Sequence, residues 1–188
     1  MSDPWVTATE IDDVVYSPQW EPYSGWANTG VNAAFQQIRS EFLQFVDILN
    51  YNGIAHGDCL QLGMGLSDCS HAVWQLLFER VATVDLRICK WNNEEFRGED
   101  THSFNASKWV KKYAPYDLLF IDAGHSFGDV SRDYNYHKQF VREGGMIAFH
   151  DALHRPLYPD HEVWEYLTLN FPKIEIIGND VGIAWLMT

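Results

Sequence analysis

Two short apolar segments of the chain end in acidic and imidazole side chains. One segment ends in Asp122 and, three residues later, His125, and the other ends in His150 and Asp151. A short apolar run is typical of a buried strand in a parallel sheet, and neighbouring parallel strands end at the same edge of that sheet. We therefore predict that the four side chains share one crevice, where they can bind a metal ion and transfer protons.

The two aspartates in this group predict a cation site. Asp122 and Asp151 are expected to face each other across adjacent strand ends, where their charges would repel and raise each pKa unless a cation lies between them. We predict that Asp122, His150 and Asp151 bind a divalent metal ion, Mg²⁺ or Mn²⁺. The alternative is that Asp122 caps a helix and His150 is a hydrogen-bonded core residue. His154 and His161, farther along the chain, could belong to a metal cluster, but Arg155 and Pro156 disfavour one regular helix there, so we predict that they are surface residues.

A glycine-containing loop precedes these residues. The first predicted strand leads into Gly63, Gly65 and Ser67, where glycines allow a sharp turn close to a ligand and a helix N-terminus offers free N–H groups. Asp85 ends the next predicted strand, about twenty residues on, where a carboxylate can bind both ribose hydroxyls of a nucleoside cofactor. A helix cap or turn is its alternative role. Asp68 stands where a third glycine would complete a dinucleotide fingerprint, which favours a cofactor without pyrophosphate over NAD.

The rest of the chain alternates predicted strands and helices. Short apolar runs predict strands at 59–62, 81–84, 118–121 and 146–149, a weaker one near 101–104, and a closing hairpin of 174–177 and 181–187. Apolar residues three or four apart predict helices at 32–51, 68–80, 106–113, 127–143 and 160–170. This order predicts an α/β fold: a three-layer α/β/α sandwich whose doubly wound, mostly parallel sheet has a C-terminal antiparallel hairpin strand.

The N-terminal part of the chain has a different character. Residues 1–30 contain prolines and tryptophans with little periodicity, so we predict an irregular N-terminal arm or lid ahead of one domain that spans 31–188. As an arm, these residues would cover apolar surface of their own chain or of a second copy in a homodimer. As a lid, they would cover a ligand.

The composition of the chain limits which classes of binding partner are expected. The formal charge of −13 disfavours nucleic acid and acidic membranes, so a small molecule is the expected partner. The chain has no apolar run of about 18 residues and no signal-peptide pattern, which favours a cytoplasmic protein without a membrane span. Its cysteines, at positions 59, 69 and 89, lack the spacing of a disulfide framework or a zinc site.

From residue 60 to residue 188 the chain resembles the class I, Rossmann-like S-adenosylmethionine-dependent methyltransferases. It is most similar to their small metal-associated branch, which includes the cephalosporin-hydroxylase-like and macrolide-sugar O-methyltransferases. The resemblance is carried by Gln61–Ser67, Val84–Asp85, Leu119–Phe127, Val130, Asp133, Gly144–Gly145 and His150–Asp151.

The resemblance implies roles for individual residues. Gly63 and Gly65 would bind the methionine part of S-adenosylmethionine, Asp85 would bind its ribose, and His125 would be the general base beside the metal ligands. Gln61 stands where an acidic residue is usual. The other residues expected to bind the cofactor are Gln61, Ser67 and Asp122 and, near the adenine, His102 and Ser103.

Together these features predict an enzyme that methylates oxygen. We expect methyl transfer from S-adenosylmethionine to a small hydroxylated molecule, such as a sugar or phenol, assisted by the divalent metal ion. Nucleobase methylation is disfavoured, because the chain lacks an Asn/Asp-Pro-Pro-aromatic motif. Two alternatives stay open: a metal-dependent hydrolase in which Asp122 and Asp151 surround an activated water, and a catalytically silent protein for cofactor binding or assembly.

Overall fold

The structure is a computed structural model of the 188-residue chain. It describes residues 6–21, 25–27, 33–65, 67–86, 96–154 and 160–188, with the backbone alone at Phe96. Parts of the predicted N-terminal arm and Cys89 lie outside these ranges. In the described part of the chain, no helix is both long enough and apolar enough to span a bilayer.

In the part of the chain that the structure describes, seven strands form one sheet in the order β3-β2-β1-β4-β5-β7-β6. They are β1 Asp58–Leu62, β2 Arg80–Asp85, β3 Phe96–Gly98, β4 Tyr116–Ile121, β5 Val141–His150, β6 Glu175–Ile177 and β7 Ile183–Met187. Strands β1 to β5 pair in parallel, whereas β7 runs antiparallel to both β5 and β6. The predicted sheet with its C-terminal antiparallel hairpin is thus confirmed.

Among the described residues, six α-helices cover the two faces of the sheet. They are α1 Ala8–Val15, α2 Arg39–Tyr51, α3 Cys69–Leu77, α4 Phe104–Tyr113, α5 Phe127–His137 and α6 Val163–Asn170. Because successive strand residues point to opposite faces, Cys59 packs with α1, α2 and α3, whereas Leu60 packs with α4, α5 and α6. The molecule therefore has the predicted three layers, with one apolar core on each side of the sheet.

The register brings four strand ends to one edge. Leu62, at the end of β1, pairs with Val84 of β2 and with Ile121 of β4, and Ile121 pairs with Phe149 of β5. The residues that follow these positions therefore lie side by side at the carboxyl edge, as the sequence predicted.

The predicted helix at 32–51 begins later than expected. Helix α2 starts at Arg39, and the residues before it have no helical structure from 33 onward. Phe35 donates its N–H to Gly25 O, and Ala27 donates its N–H to Gln37 O. These tertiary hydrogen bonds replace the local helical ones, although apolar residues continue the helical spacing through this segment.

Two further boundaries were predicted wrongly. The helix predicted at 127–143 ends at His137, and the Gly144–Gly145 pair lies inside β5 rather than at a helix end. The backbone of Gly144 has a φ of +71°, and a Cβ on Gly145 would lie 2.9 Å from Asp117 O, so both glycines allow an irregular, tightly packed strand. The strand predicted near 101–104 is also absent, because β3 lies at 96–98 and Ser103 caps α4.

The predicted irregular arm over residues 1–30 contains a regular element, because residues 8–15 form α1. Thr7 and Glu10 form a capping box that starts α1, and Ile11 and Val15 of this helix are fully buried. Helix α1 packs against α3, so this segment is part of the domain core. The boundary between residues 30 and 31 stays a prediction.

Candidate active site

A cavity of about 800 Å³ opens at the carboxyl edge of the sheet. The strand ends, the segment before α2 and the loop before β7 all contribute to its wall. The polar side chains that line it are Gln36, Asp85, Asp100, Thr101, His102, Asp122, His125, Asp129, His150, Asp151, His161 and Asp180. Its volume is in the range of pockets that bind small molecules.

The glycine loop lies at one side of this cavity. Gly63 has a φ of +85°, and a Cβ added to it would lie 1.9 Å from Asp122 O. Gly65 has a φ of +77° and lies so close to Gln36 that a Cβ would approach its Oε1 to 2.4 Å. Gly63 is therefore required by the packing of the chain against itself, whereas Gly65 is favoured by its positive φ, because the end of the flexible Gln36 side chain can move.

Asp85 lies beside this loop, as predicted. It lines the cavity, and its Oδ2 accepts a hydrogen bond of 2.7 Å from Met64 N. The carboxylate at the end of β2 is thus fixed next to the glycine loop, which is the arrangement expected for a residue that binds ribose.

Gln61 does not line the cavity, contrary to the role expected for it in cofactor binding. Its side chain is 1% exposed and donates a hydrogen bond of 2.5 Å to Ser70 Oγ. It also accepts one of 3.1 Å from Thr83 Oγ1, which lies 2.8 Å from His71 Nδ1. Because Gln61 is on the face of β1 that packs against α3, its amide is used inside the core.

Two serines expected to bind the cofactor instead form hydrogen bonds near the starts of α3 and α4, where Ser103 is the N-cap of α4. Ser67 Oγ donates to Ala34 O at 2.7 Å and accepts from Cys69 N at 3.2 Å. Ser103 Oγ accepts from Ala106 N at 3.0 Å at the start of α4. Neither serine is among the residues that line the cavity.

His102 does line the cavity, next to Ser103. Its Nε2 lies 3.1 Å from Asp133 Oδ1 and its Nδ1 lies 3.3 Å from Asp100 Oδ1. The contact with the fully buried Asp133 raises the pKa of His102, against the opposite effect of burial. This imidazole is thus held at the predicted adenine side by two carboxylates.

The predicted acid–imidazole cluster is assembled in the structure. His150 Nδ1 lies 3.0 Å from Asp122 Oδ1 and 3.2 Å from Asp151 Oδ2. His125 Nε2 lies 2.9 Å from the same Asp151 oxygen and 3.7 Å from Asp122 Oδ1. All four side chains line the cavity, so they share one crevice as predicted.

The backbone turns sharply at Asp151 to reach this arrangement. Asp151 has a φ of +54°, the left-handed conformation that costs energy for residues other than glycine. The turn is held by Ala152 N, which donates to Gly182 O, and by Leu153 N, which donates to Val181 O. The loop before β7 therefore fixes the direction of the Asp151 carboxylate.

The interactions within the cluster shift the pKa values of all four side chains. Burial favours neutral groups, but the nearby carboxylates outweigh it and raise the pKa of His150 to about 10 and that of His125 to about 9. Burial is likewise outweighed for Asp122 and Asp151, whose pKa values lie below the usual range because of the imidazoles. A general base must be neutral, so the base role predicted for His125 requires another cation to balance the aspartates.

His161 also lies in this site, and the prediction that it is a surface residue is wrong. Its ring stacks on that of His125, with centroids 4.3 Å apart and planes 5° apart, and its Nδ1 lies 3.6 Å from Asp151 Oδ1. The adjacent Glu162 donates its N–H to His125 O and accepts a hydrogen bond from Phe127 N. No spacing in the sequence links these residues to His125.

Residues ahead of α2 enter the site as well, and of these only Ala27 belongs to the segment predicted as an arm or lid. Ala27, Gln36 and Ile38 line the cavity, and Gln37 donates a hydrogen bond of 2.8 Å to Asp122 Oδ2. The site thus draws on the N-terminal third of the chain as well as on the strand ends.

Comparison with known proteins adds a family match. The family model described as a methyltransferase domain matches residues 5–152, which is most of the chain. No curated protein sequence matches the chain.

Solved structures share the fold at low sequence identity. The MycE methyltransferase from the mycinamycin biosynthetic pathway, in complex with Mg and S-adenosylhomocysteine, has a TM-score of 0.65 and 13% identity over 96% of this chain. The alignment covers 53% of the MycE chain, so the present chain spans about half its length. An O-methyltransferase from Bacillus cereus in complex with S-adenosylhomocysteine has a TM-score of 0.55 and 17% identity, covering 96% and 90% of the two chains.

A third similar structure is CalS11, a TDP-rhamnose 3′-O-methyltransferase of calicheamicin biosynthesis. It has a TM-score of 0.58 and 10% identity, covering 96% of this chain and 92% of its own. At these identities the three likenesses establish the fold.

Proposed function

The chain belongs to the family of methyltransferase domains, and from that premise we propose that it transfers a methyl group from S-adenosylmethionine to a hydroxyl of a small molecule. One observation carries the proposal. The same cavity is lined by Asp85 beside the glycine loop and by the cluster of Asp122, His125, His150 and Asp151. A cofactor site and a site for proton transfer therefore adjoin. Methyltransferases with the same fold bind S-adenosylhomocysteine in their crystals, which supports the choice of cofactor.

The charge of the cavity suits this cofactor. Six aspartates line it, and no lysine or arginine is among the described lining residues. S-adenosylmethionine carries a positive sulfonium and a positive ammonium group, which an acidic cavity favours. Asp85 would accept hydrogen bonds from the ribose hydroxyls, and Gly63 and Gly65 would let the backbone approach the methionine part.

The residues present fit a divalent metal ion. Asp122 Oδ1 and Asp151 Oδ2 lie 3.0 Å and 3.2 Å from His150 Nδ1, and the three residues can offer ligand atoms that all lie within 4.8 Å of one another. Ligand atoms at neighbouring corners of an octahedron with bonds of about 2.1 Å are roughly 3.0 Å apart. Two carboxylates suit Mg²⁺ or Mn²⁺, and the imidazole shifts the preference towards Mn²⁺, iron or Zn²⁺. Such an ion supplies Lewis acidity, which lowers the pKa of a bound hydroxyl.

The remaining chemistry falls to side chains of this chain. The methyl carbon leaves the sulfonium sulfur and bonds to the acceptor oxygen, and S-adenosylhomocysteine is released. His125, whose side chain is 31% exposed towards the cavity, would take the hydroxyl proton when its imidazole is neutral. Positioned proton transfer contributes about 10² to 10⁴ in rate, and alignment of the reacting atoms contributes more.

The protein's surroundings are part of the proposal. With a formal charge of −13, a small-molecule acceptor is favoured over nucleic acid. The cytoplasmic location and the homodimer stay predictions.

Calorimetric titration with S-adenosylhomocysteine tests the cofactor site. We expect the wild type to bind and Asp85→Asn to bind roughly 10- to 150-fold more weakly, since a hydrogen bond to a charged group contributes about 1.5–3 kcal/mol. Asp13→Asn, at an exposed position of α1, is the matched control and should bind like the wild type. A wild type that does not bind, or an Asp85→Asn variant that binds equally well, would refute the proposal.

A further inference from the structure

The two carboxylate oxygens of Asp122 have different surroundings. Oδ1 lies 3.0 Å from His150 Nδ1 and faces the cluster, whereas Oδ2 accepts a hydrogen bond of 2.8 Å from Gln37 Nε2. Gln37 is 2% exposed and lies 85 residues before Asp122 in the chain. The carboxylate is thus held from behind by a residue outside the predicted site.

We infer that Gln37 is a positioning residue, which fixes Asp122 so that Oδ1 alone faces a divalent cation held with His150 and Asp151. This inference rests on the proposed function, because it concerns the cation of the same site. It extends that function by assigning a task to the segment ahead of α2, which the sequence left without one.

An amide suits this task better than a charged donor. A carboxylate that can rotate about its terminal bond presents either oxygen to the cation and loses this rotational freedom when the cation binds. A carboxylate that is already held in one orientation has less conformational entropy to lose on binding. The neutral amide of Gln37 occupies Oδ2 without cancelling the negative charge that attracts the cation. Groups that orient a metal ligand in this way typically contribute 10- to 100-fold in metal affinity.

The other atom of the Gln37 amide argues against a purely structural role. Its Oε1 is buried and finds no hydrogen-bond partner in the part of the chain that the structure describes. A buried acceptor without a partner destabilises a fold. An apolar side chain of the same length would therefore serve packing at least as well, and the contact with Asp122 is what distinguishes the glutamine.

The same segment also supports the second aspartate of the cluster. Glu41, four residues after Gln37 and in the first turn of α2, accepts backbone hydrogen bonds of 2.7–3.4 Å from the loop residues Asn179, Asp180, Val181 and Gly182. Gly182 O in turn accepts from Ala152 N, directly after Asp151. Residues 37–41 therefore hold Asp122 directly and Asp151 through one loop.

The test measures binding of Mn²⁺ alone to the full chain, by calorimetry and by the EPR signal of free Mn²⁺, without any acceptor. Gln37→Met keeps the length and removes the donor. Gln37→Glu keeps the shape and places a second carboxylate against Asp122. Gln44→Met, on an exposed position of α2, is the matched control. S-adenosylhomocysteine affinity and the thermal midpoint are measured on each protein.

We expect Gln37→Met and Gln37→Glu to weaken Mn²⁺ binding 10- to 100-fold, with S-adenosylhomocysteine affinity within about twofold of the wild type. The thermal midpoint of Gln37→Met should stay close to that of the wild type, and Gln44→Met should change nothing. If Gln37→Met does not fold, Gln37→Glu carries the test.

Three results would overturn the inference. Unchanged Mn²⁺ affinity in a folded Gln37 variant is the first, and equal losses for Mn²⁺ and S-adenosylhomocysteine are the second, since they would indicate a general collapse of the cavity. The third is a wild type that binds S-adenosylhomocysteine but neither Mn²⁺ nor Mg²⁺. That result would leave the proposed methyltransferase activity standing, so the two failures are distinguishable.

Discussion

The imidazole rings of His125 and His161 lie parallel in the cavity, with centroids 4.3 Å apart and planes 5° apart. The two residues come from different elements, the loop after β4 and the segment before α6. Glu162 ties the segments together by donating its backbone N–H to His125 O at 2.8 Å. The orientation of the proposed base is thus set by its neighbour in space rather than by its own loop alone.

Replacing His161 with alanine should slow methyl transfer without changing the affinity for the cofactor. Aromatic stacking contributes about 0.5–1.5 kcal/mol, so we expect His161→Ala to lower the transfer rate roughly 2- to 12-fold. The rate is measured with methyl-labelled S-adenosylmethionine and a panel of hydroxylated sugars and phenols. His154→Ala, at an exposed position nearby, is the control, and a rate for His161→Ala equal to that of this control would contradict the prediction.

Replacing the base itself should have a much larger effect. We expect His125→Asn to lower the transfer rate about 10² to 10⁴-fold on any accepted substrate, because no imidazole is then present to accept the proton of the acceptor hydroxyl. S-adenosylhomocysteine should still bind in calorimetry, since Asp85 and the glycine loop are unchanged. A variant that retains most of its turnover would show that the proton leaves by another route.

Gly63 should tolerate no side chain. Its φ of +85° is unfavourable for alanine, and the added Cβ would lie 1.9 Å from Asp122 O. We expect Gly63→Ala to lower the free energy of unfolding by more than about 2 kcal/mol in urea titrations. Gly53 has a similar φ of +66° but open space around it, so Gly53→Ala should cost only about 1 kcal/mol. If Gly63→Ala and Gly53→Ala lowered the free energy of unfolding equally, the contact with Asp122 O would not explain the loss at Gly63.

The pair of His102 and Asp133 should make stability depend on pH. The folded state raises the pKa of His102 above its ordinary value of 6.5, so the pair stabilises the protein fully below that value. The contribution is lost as the pH rises from 6.5 through the folded pKa. We therefore expect the free energy of unfolding to fall less steeply with rising pH in His102→Gln than in the wild type. Urea titrations at pH 6 and pH 8.5 measure the difference, and parallel curves would contradict it.

Local patterns in the sequence sufficed for six of the seven described strands, all except β3, and for the four side chains at their ends. An apolar run such as Leu118–Ile121 is recognisable because a buried parallel strand excludes polar residues, and the next residue, Asp122, must then lie at the edge. Topology rules place neighbouring strand ends together, which brings Asp122 next to His150.

Contacts between distant segments were not predictable in the same way. Gln37 and His161 reach the site through tertiary packing, and nothing in their local sequence indicates a partner 85 residues away or on another loop. The direction of Gln61 was missed for a related reason. The family resemblance identifies the position of Gln61 in a motif but does not show on which face of β1 its side chain lies. In the structure that face packs against α3, so the amide points to Ser70 and away from the cavity.

The core on one side of the sheet contains Phe42, Phe45 and Leu49 of α2 together with Ile11 and Val15 of α1. A shortened protein that began at β1 would leave its sheet bare where α2 packs against β6 and β7. Exposed apolar surface of that kind promotes aggregation. Recombinant fragments meant for crystallisation should therefore retain both N-terminal helices, even though the strands that carry the reactive groups all come later in the chain.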